Sequence, residues 1–200
     1  MPLVIGGYQP FSLSDYPGCA SAVVFAQGCN WRCPHCHNPG LLPTTPAAGA
    51  ALDPDVVLQR LSKRRGLLRG VVVSGGEPTT QPAALPGFLA AVKALGFRVK
   101  LDTNGSRPEV LAAILRDGLV DFVAMDLKAP PHLYARLAGC PVAVDTVRHS
   151  AALIAASGVA HQFRTTWVAP PLTEVDRPAI LDLVPAGSAH VWQRFVATQD

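Results

Sequence analysis

No apolar run in this 200-residue chain approaches the roughly 18 residues that a membrane-crossing helix requires. Its first residues, Met1-Pro-Leu-Val-Ile-Gly-Gly7, have neither the basic segment nor the apolar stretch of a signal peptide. Charge is also scarce: 16% of residues are charged, the net charge is +3, and no basic run exceeds Lys63-Arg64-Arg65. On an amphipathic helix that triplet reads as a solvated face, so neither nucleic acid nor a membrane is an expected partner. No repeat and no linker divides the chain, and one domain over residues 1–200 is expected. There are five cysteines, an odd number, which does not suggest a disulfide framework. Three of them are clustered, which suits a metal site in a reducing compartment, and the expected location is the cytoplasm.

What the chain does have is apolar residues, at 49%, enough for a sizeable core. Short runs rich in Val and Phe read as strands: Ser21–Ala26, Gly70–Val73, Arg98–Leu101, Val120–Met125, Gln162–Val168 and His190–Val196. Between them lie stretches with helical periodicity: Pro54–Arg65, Leu85–Leu95, Pro108–Arg116, Val144–Ala156 and Glu174–Leu183. Asp53-Pro54 and Arg107-Pro108 read as helix starts, and Gly66, Gly96, Gly118 and Gly158 follow helix ends. Pro43–Ala51 reads as a loop. Alternating strands and helices imply an α/β fold with a parallel sheet. Six strands are too few for a closed eight-stranded barrel and fit a partial, open (β/α)6 barrel of the TIM type. In such folds the reactive groups gather at the carboxyl ends of the strands.

Strand one leads into Cys29-Asn-Trp-Arg-Cys33-Pro-His-Cys36, three thiols within eight residues. A cubane iron–sulfur cluster normally takes four thiolates, so three would leave one iron open. A structural zinc site is the competing reading, with His35 or His37 completing Cys3His. Trp31 can pack over a cluster or belong to the core. Cys19 and Cys140 read as small buried hydrophobes.

The other strand ends are unusually polar. The second runs into Gly75-Gly76-Glu77-Pro78, where two glycines let the backbone approach a ligand. Its exposed N–H and C=O groups suit the ammonium and carboxylate of an amino acid, although the tetrapeptide is equally an ordinary turn. The third ends Lys100-Leu-Asp102-Thr103-Asn104-Gly105, and the fourth Ala124-Met-Asp126-Leu-Lys128. Asp102, Thr103 and Asp126 offer hard oxygens to a cation, and Lys128 a charge to a carboxylate; a surface ion pair is the alternative. The fifth carries Arg164, suited to a bidentate carboxylate contact or to a salt bridge at the barrel rim.

Together these segments resemble the radical S-adenosylmethionine (radical SAM) enzymes over nearly the whole chain. Besides the motifs above, the resemblance takes in Gly7–Gly18, Val23–Cys29, Phe163-Arg-Thr-Thr166 and Gln193-Arg-Phe195. The segment Leu13–Gly18 and Met125-Asp-Leu-Lys128 make it similar to the short activating proteins of anaerobic (class III) ribonucleoside-triphosphate reductase, and it also resembles the pyruvate formate-lyase activating enzymes.

The resemblance implies a [4Fe-4S] cluster on Cys29, Cys33 and Cys36 and S-adenosylmethionine bound on its open iron. It places Gly75, Gly76 and Glu77 at the cofactor's amino group and His35 against its adenine. Asn104, Lys128 and Arg164 are further expected cofactor contacts, together with Asp102 and Thr103. In the pyruvate formate-lyase activating relative, residues matching Asp102, Thr103 and Asp126, with the backbone carbonyl at the place of Ala124, bind a monovalent cation next to the cofactor. The implied reaction takes an electron from flavodoxin or ferredoxin. It makes a 5′-deoxyadenosyl radical and leaves a glycyl radical on the partner reductase. No general acid or base is required. Competing expectations are a small-molecule substrate of 7-deazaguanine biosynthesis and, from another class, a non-catalytic zinc module.

Overall fold

A computed structural model describes residues 1–196. Seven strands form one sheet in chain order: β1 (Ile5–Ser12), β2 (Ser21–Ala26), β3 (Gly70–Gly75), β4 (Arg98–Thr103), β5 (Phe122–Asp126), β6 (Ala160–Trp167) and β7 (His190–Arg194). Strands β2 to β7 pair in parallel, whereas β1 pairs with β2 antiparallel. The end strands β1 and β7 do not meet, so the barrel is partial and open. The six expected strands all form, within about two residues at most boundaries. The all-parallel reading needs one correction, the added β1.

The sequence of β1 hides it. Ile5-Gly-Gly-Tyr-Gln-Pro-Phe-Ser12 contains two glycines and a proline, all depleted in strands. Pro10 lacks a donor and is tolerated because β1 is an edge. The pairing with β2 also shifts register between Gln9 and Ser12.

Val71, Val72 and Val73 of β3 are fully buried because this central parallel strand is covered on both faces. Helices α1 (Pro54–Ser62), α2 (Leu85–Ala94), α3 (Pro108–Arg116), α4 (Tyr134–Ala138), α5 (Val144–Ala156) and α6 (Arg177–Leu181) supply the outer layer. Asp53 caps α1 by accepting from Asp55 N at 2.9 Å, with Pro54 in the first turn. The expected helix over Glu174–Leu183 divides into a 3-10 turn at Glu174–Asp176 and the shorter α6, and α1 stops three residues early. Leu111 and Ile114 of α3 and Ala151 and Ile154 of α5 lie with Val99, Leu101 and Val123 in one fully buried core. Burying each large aliphatic side chain contributes roughly 1.5–3 kcal/mol.

Gly66, Gly96, Gly118 and Gly158 all have positive φ, 62° to 88°, as expected after helix ends. Lys63 and Arg65 are exposed. Among the described residues, no helix is long and apolar enough to cross a membrane.

Candidate active site

A cavity of about 240 Å³ opens at the carboxyl ends of the parallel strands, and every candidate residue singled out from the sequence lines it. They arrive from five places: the loop after β2 (Cys29, Cys33, His35, Cys36), the turn after β3 (Gly75, Gly76, Glu77), the end of β4 (Asp102, Thr103, Asn104), the end of β5 (Asp126, Lys128) and β6 (Arg164).

The cysteine loop has no regular structure and is held from three sides. The turn after β3 grips its start: Glu77 N donates to Gly28 O at 2.8 Å and Gly76 N to Ala26 O at 2.9 Å. The end of α4 grips its middle, where Arg32 N donates to Ala138 O at 2.8 Å. The third clamp is polar. Asn104 Nδ2 donates to Asn30 Oδ1 at 3.0 Å, and Asn30 Nδ2 to Ser106 Oγ at 2.8 Å.

These clamps alter the roles read from sequence. The glycines at 75 and 76 line the cavity and also serve the clamp itself. A Cβ on Gly76 would stand 2.1 Å from Gly28 O, and one on Gly75, where φ is +111°, would stand 2.5 Å from Ala26 N and O. They let two backbones touch. The N–H groups of Gly76 and Glu77 are spent on this clamp, so carbonyl oxygens are what the turn has left for an ammonium group.

The Glu77 side chain is 1% exposed and faces inward. It accepts from Thr79 N (3.1 Å), Thr79 Oγ1 (2.6 Å), Thr103 Oγ1 (2.9 Å) and Asn104 N (2.6 Å). Burial pushes its carboxyl up from the usual value, and these four donors pull it back.

The charged floor comes from side chains on one face of adjacent strands. Asp126 and Arg164 are direct partners in the β5–β6 register, and Lys100 precedes Asp102 by two residues, hence on the same face. Arg164 Nε donates to Asp126 Oδ1 at 2.9 Å and its Nη1 lies 3.5 Å from Asp102 Oδ2. Lys128 Nζ donates to Asp126 Oδ2 at 2.8 Å, Lys100 Nζ to Asp102 Oδ1, and Ser74 Oγ to Asp102 Oδ2 at 3.1 Å. Burial alone would raise the Asp126 carboxyl, but Arg164 and Lys128 hold it well below the usual carboxylate range. Asp126 in turn keeps Lys128 protonated against its own desolvation. The carboxylate reading of Arg164 and the rim-bridge reading thus meet: its carboxylates are the protein's own.

Burial pushes the Cys29 thiol up to about 11, and Cys33 rises for the same reason with Lys128 opposing. Such thiols ionise readily only when a metal supplies positive charge. Among the described residues, no three His, Cys, Asp or Glu side chains converge as a single ion requires. Zinc needs four donors within about 2.3 Å, whereas a cubane puts each thiolate on its own iron. Three thiols lining one cavity are the donor set that a cubane with one open iron takes.

His35 is buried with both ring nitrogens unpartnered, and burial pushes it down to about 4. It lines the cavity and packs edge-on to Phe195, centroids 6.0 Å apart, while His37 stacks on the same ring at 5.3 Å. Trp31 is 3% exposed and meets Tyr134 edge-on, so it belongs to the core while also lining the cavity.

Cys19 is buried with Tyr16, Val23 and Val72. Cys140 is only half-buried, with Sγ 3.8 Å from Asn30 O, so the fully buried reading holds for Cys19 alone.

Sequence reasoning passed over Asn30, Ser74, Lys100 and Gly139, the last with φ +69° and packed so closely on the cysteine loop that a Cβ would stand 1.9 Å from Arg32 O. The polar runs around Lys100 and the terminal glycine of Tyr134–Gly139 were the available signals.

Three thiols line a charged, glycine-clamped cavity in an open α/β barrel, a donor set suited to a metal cluster. Comparison with known proteins makes the class particular: residues 23–184 match the radical SAM superfamily, and the chain belongs to it. It is an enzyme of that superfamily, and membership implies a [4Fe-4S] cluster and S-adenosylmethionine.

A Methanocaldococcus jannaschii protein carrying the name glycyl-radical enzyme activating enzyme is 30% identical over 98% of this chain and 81% of its own. A pyruvate formate-lyase-activating enzyme of Clostridium pasteurianum is 34% identical over 62% of this chain, and a 7-carboxy-7-deazaguanine synthase of Methanopyrus kandleri 32% over 58%. The chain spans about half, 52%, of each of those two. A solved structure of anSMEcpe with bound AdoMet shares the fold at TM-score 0.65 and 17% identity, covering 86% of this chain and 49% of that one.

Proposed function

We propose that this chain is a cytoplasmic activase that installs a glycyl radical on anaerobic ribonucleoside-triphosphate reductase, with flavodoxin or ferredoxin as its electron donor. The observation that carries the reading is the near full-length likeness to a protein named as a glycyl-radical enzyme activating enzyme. An open barrel flank supports it, because β1 and β7 remain apart and leave a side through which a polypeptide loop can enter.

Cys29, Cys33 and Cys36 would hold the cluster. Bound there, it would supply the one-electron reducing chemistry by which S-adenosylmethionine is cleaved. The chain's own work is positioning. Carbonyls of Gly75 and Gly76 would receive the ammonium, Lys128, held charged by Asp126, would give the cofactor's carboxylate its counter-charge while Arg164 fixes the two aspartates, and His35 would offer its ring to the adenine. No side chain has to move a proton.

The test is anaerobic activation of purified partners. A glycyl-radical resonance on the ribonucleotide reductase, dependent on S-adenosylmethionine, is the expected result. A radical on pyruvate formate-lyase alone would transfer the reading to that partner. Turnover of a deazapurine precursor with neither radical would favour the second reading, which the Methanopyrus likeness supports.

A further inference from the structure

The implied cation at Asp102, Thr103 and Asp126 does not fit the side chains that surround it. Every oxygen of the two carboxylates already has a donor: Lys100 Nζ on Asp102 Oδ1, Ser74 Oγ and Arg164 Nη1 on Asp102 Oδ2, Arg164 Nε on Asp126 Oδ1 and Lys128 Nζ on Asp126 Oδ2. Thr103 follows Asp102 in β4, so its side chain leaves the strand on the other face, although the residue still lines the cavity. Its hydroxyl donates to Glu77 Oε1 at 2.9 Å and accepts from Gly105 N at 3.1 Å. Three protein cations thus stand against two carboxylates and leave one positive charge for the cofactor's own carboxylate, so charge balance calls for no further cation.

Lys100 is the residue that calls for explanation. It is 1% exposed, and a lysine is almost never buried so completely unless it is paired. Burial lowers its affinity for a proton while Asp102 opposes that fall. Arg164 cannot serve Asp102 fully, since its shorter contact is to Asp126.

We propose that Lys100, with Arg164, takes the place of a monovalent cation in this chain, so that cofactor binding requires neither Na⁺ nor K⁺. The ammonium is tethered through β4 and is present at any salt composition, whereas a diffusible ion binds by mass action. Lys100 acts here as a positioning residue: it fixes the Asp102 carboxylate and does not touch the reacting atoms. This inference rests on S-adenosylmethionine binding in the cavity and is independent of which partner is activated.

The test uses anaerobically reconstituted full-length protein exchanged into tetramethylammonium chloride, then titrated with KCl or NaCl at constant ionic strength. S-adenosylmethionine affinity is measured by equilibrium dialysis, and the thermal midpoint is followed in the same salts without cofactor. Wild type is expected to hold its affinity within twofold and its midpoint unchanged across salts. Lys100→Met, similar in length but neutral, is expected to acquire a K⁺ or Na⁺ requirement of tenfold or more in affinity and a salt-specific rise in midpoint. Lys100→Arg is expected to keep the indifference of wild type. A tenfold stimulation of wild-type affinity by K⁺ or Na⁺ overturns the proposal, and so does a Lys100→Met protein that stays indifferent. Should Lys100→Met fail to fold in every salt, the wild-type titration decides. No binding in any salt would instead overturn the cofactor reading beneath it, which separates the two failures.

Discussion

Asn104 N donates to Glu77 Oε2 at 2.6 Å, joining the turn after β3 to the end of β4 through a buried carboxylate. The cysteine loop rests on the same two segments, by Glu77 N to Gly28 O and by Asn104 Nδ2 to Asn30 Oδ1. One buried acid therefore organises the wall of the cavity and, through it, the loop that carries the thiols.

Replacing Glu77 with Ala leaves Thr79 N and Asn104 N as buried donors without an acceptor. Each such orphan costs about 1–3 kcal/mol, so the variant should lose roughly 2–5 kcal/mol of stability. Glu77→Gln keeps the shape but turns an amide N–H toward a donor, and should lose about 1–3 kcal/mol. Urea denaturation of both variants checks the order. A Glu77→Ala protein as stable as wild type would refute the tie.

Gly76→Ala and Gly87→Ala form a matched pair. The first puts a methyl 2.1 Å from Gly28 O and 2.9 Å from Leu41 O, both backbone atoms that cannot step aside. It should lower the melting temperature and reduce iron uptake on reconstitution. Gly87 lies within α2 and its added Cβ would meet nothing within 4 Å. That change should stabilise the protein by about 0.5–1 kcal/mol through helix propensity and leave iron uptake unchanged.

Strands β2 to β5 were legible because each concentrates Val, Phe or Leu into a largely buried run, and β6 and β7 because short runs with Phe, Val and Trp follow helical stretches. Strand β1 was not, since Gly6, Gly7 and Pro10 erase its pattern and only its edge position tolerates them. Helix α4, five residues long, has too few turns to display a period. At the site, the sequence placed the polar residues at the correct strand ends but not the direction in which each side chain points. Glu77, Asn104 and Thr103 read as groups facing a ligand, yet they bond chiefly to one another and to the cysteine loop. Lys100 was passed over because a lysine in a strand reads as solvent-facing, and only the register reveals Asp102 beside it.

The Asp126–Arg164 pair makes stability fall in acid. The folded carboxyl lies below its unfolded value of about 3.9. Its contribution is therefore complete above that value and is lost as pH falls below it toward the folded pKa. Asp126→Asn removes this dependence and leaves Arg164 and Lys128 without one carboxylate. The Asp126 side chain retains 24% exposure, so the cost at pH 7 should be about 2–3 kcal/mol, less than for a fully enclosed pair. The gap between wild type and variant should narrow steadily below pH 4. A gap that stays constant down to pH 2.5 would show that the pair contributes no charge-dependent stability.

Cys36→Ala separates the cluster from the fold. Among the described residues its Sγ makes no hydrogen bond, and the residue's link to Cys33 O runs through its backbone N at 3.1 Å, which alanine preserves. The side chain is only half-buried, so its removal should change the stability of cluster-free protein by less than about 1 kcal/mol. Iron retention should drop, and 5′-deoxyadenosine formation from S-adenosylmethionine under dithionite should cease. Cys19→Ala is the opposite case. Its thiol is 6% exposed beside Tyr16 and would leave a small cavity near the base of the barrel. It should cost about 1 kcal/mol while iron content and cleavage remain at wild-type levels. If Cys36→Ala cleaved the cofactor as wild type does, the three-thiolate assignment would fail, and with it the placement of every other residue around the cavity.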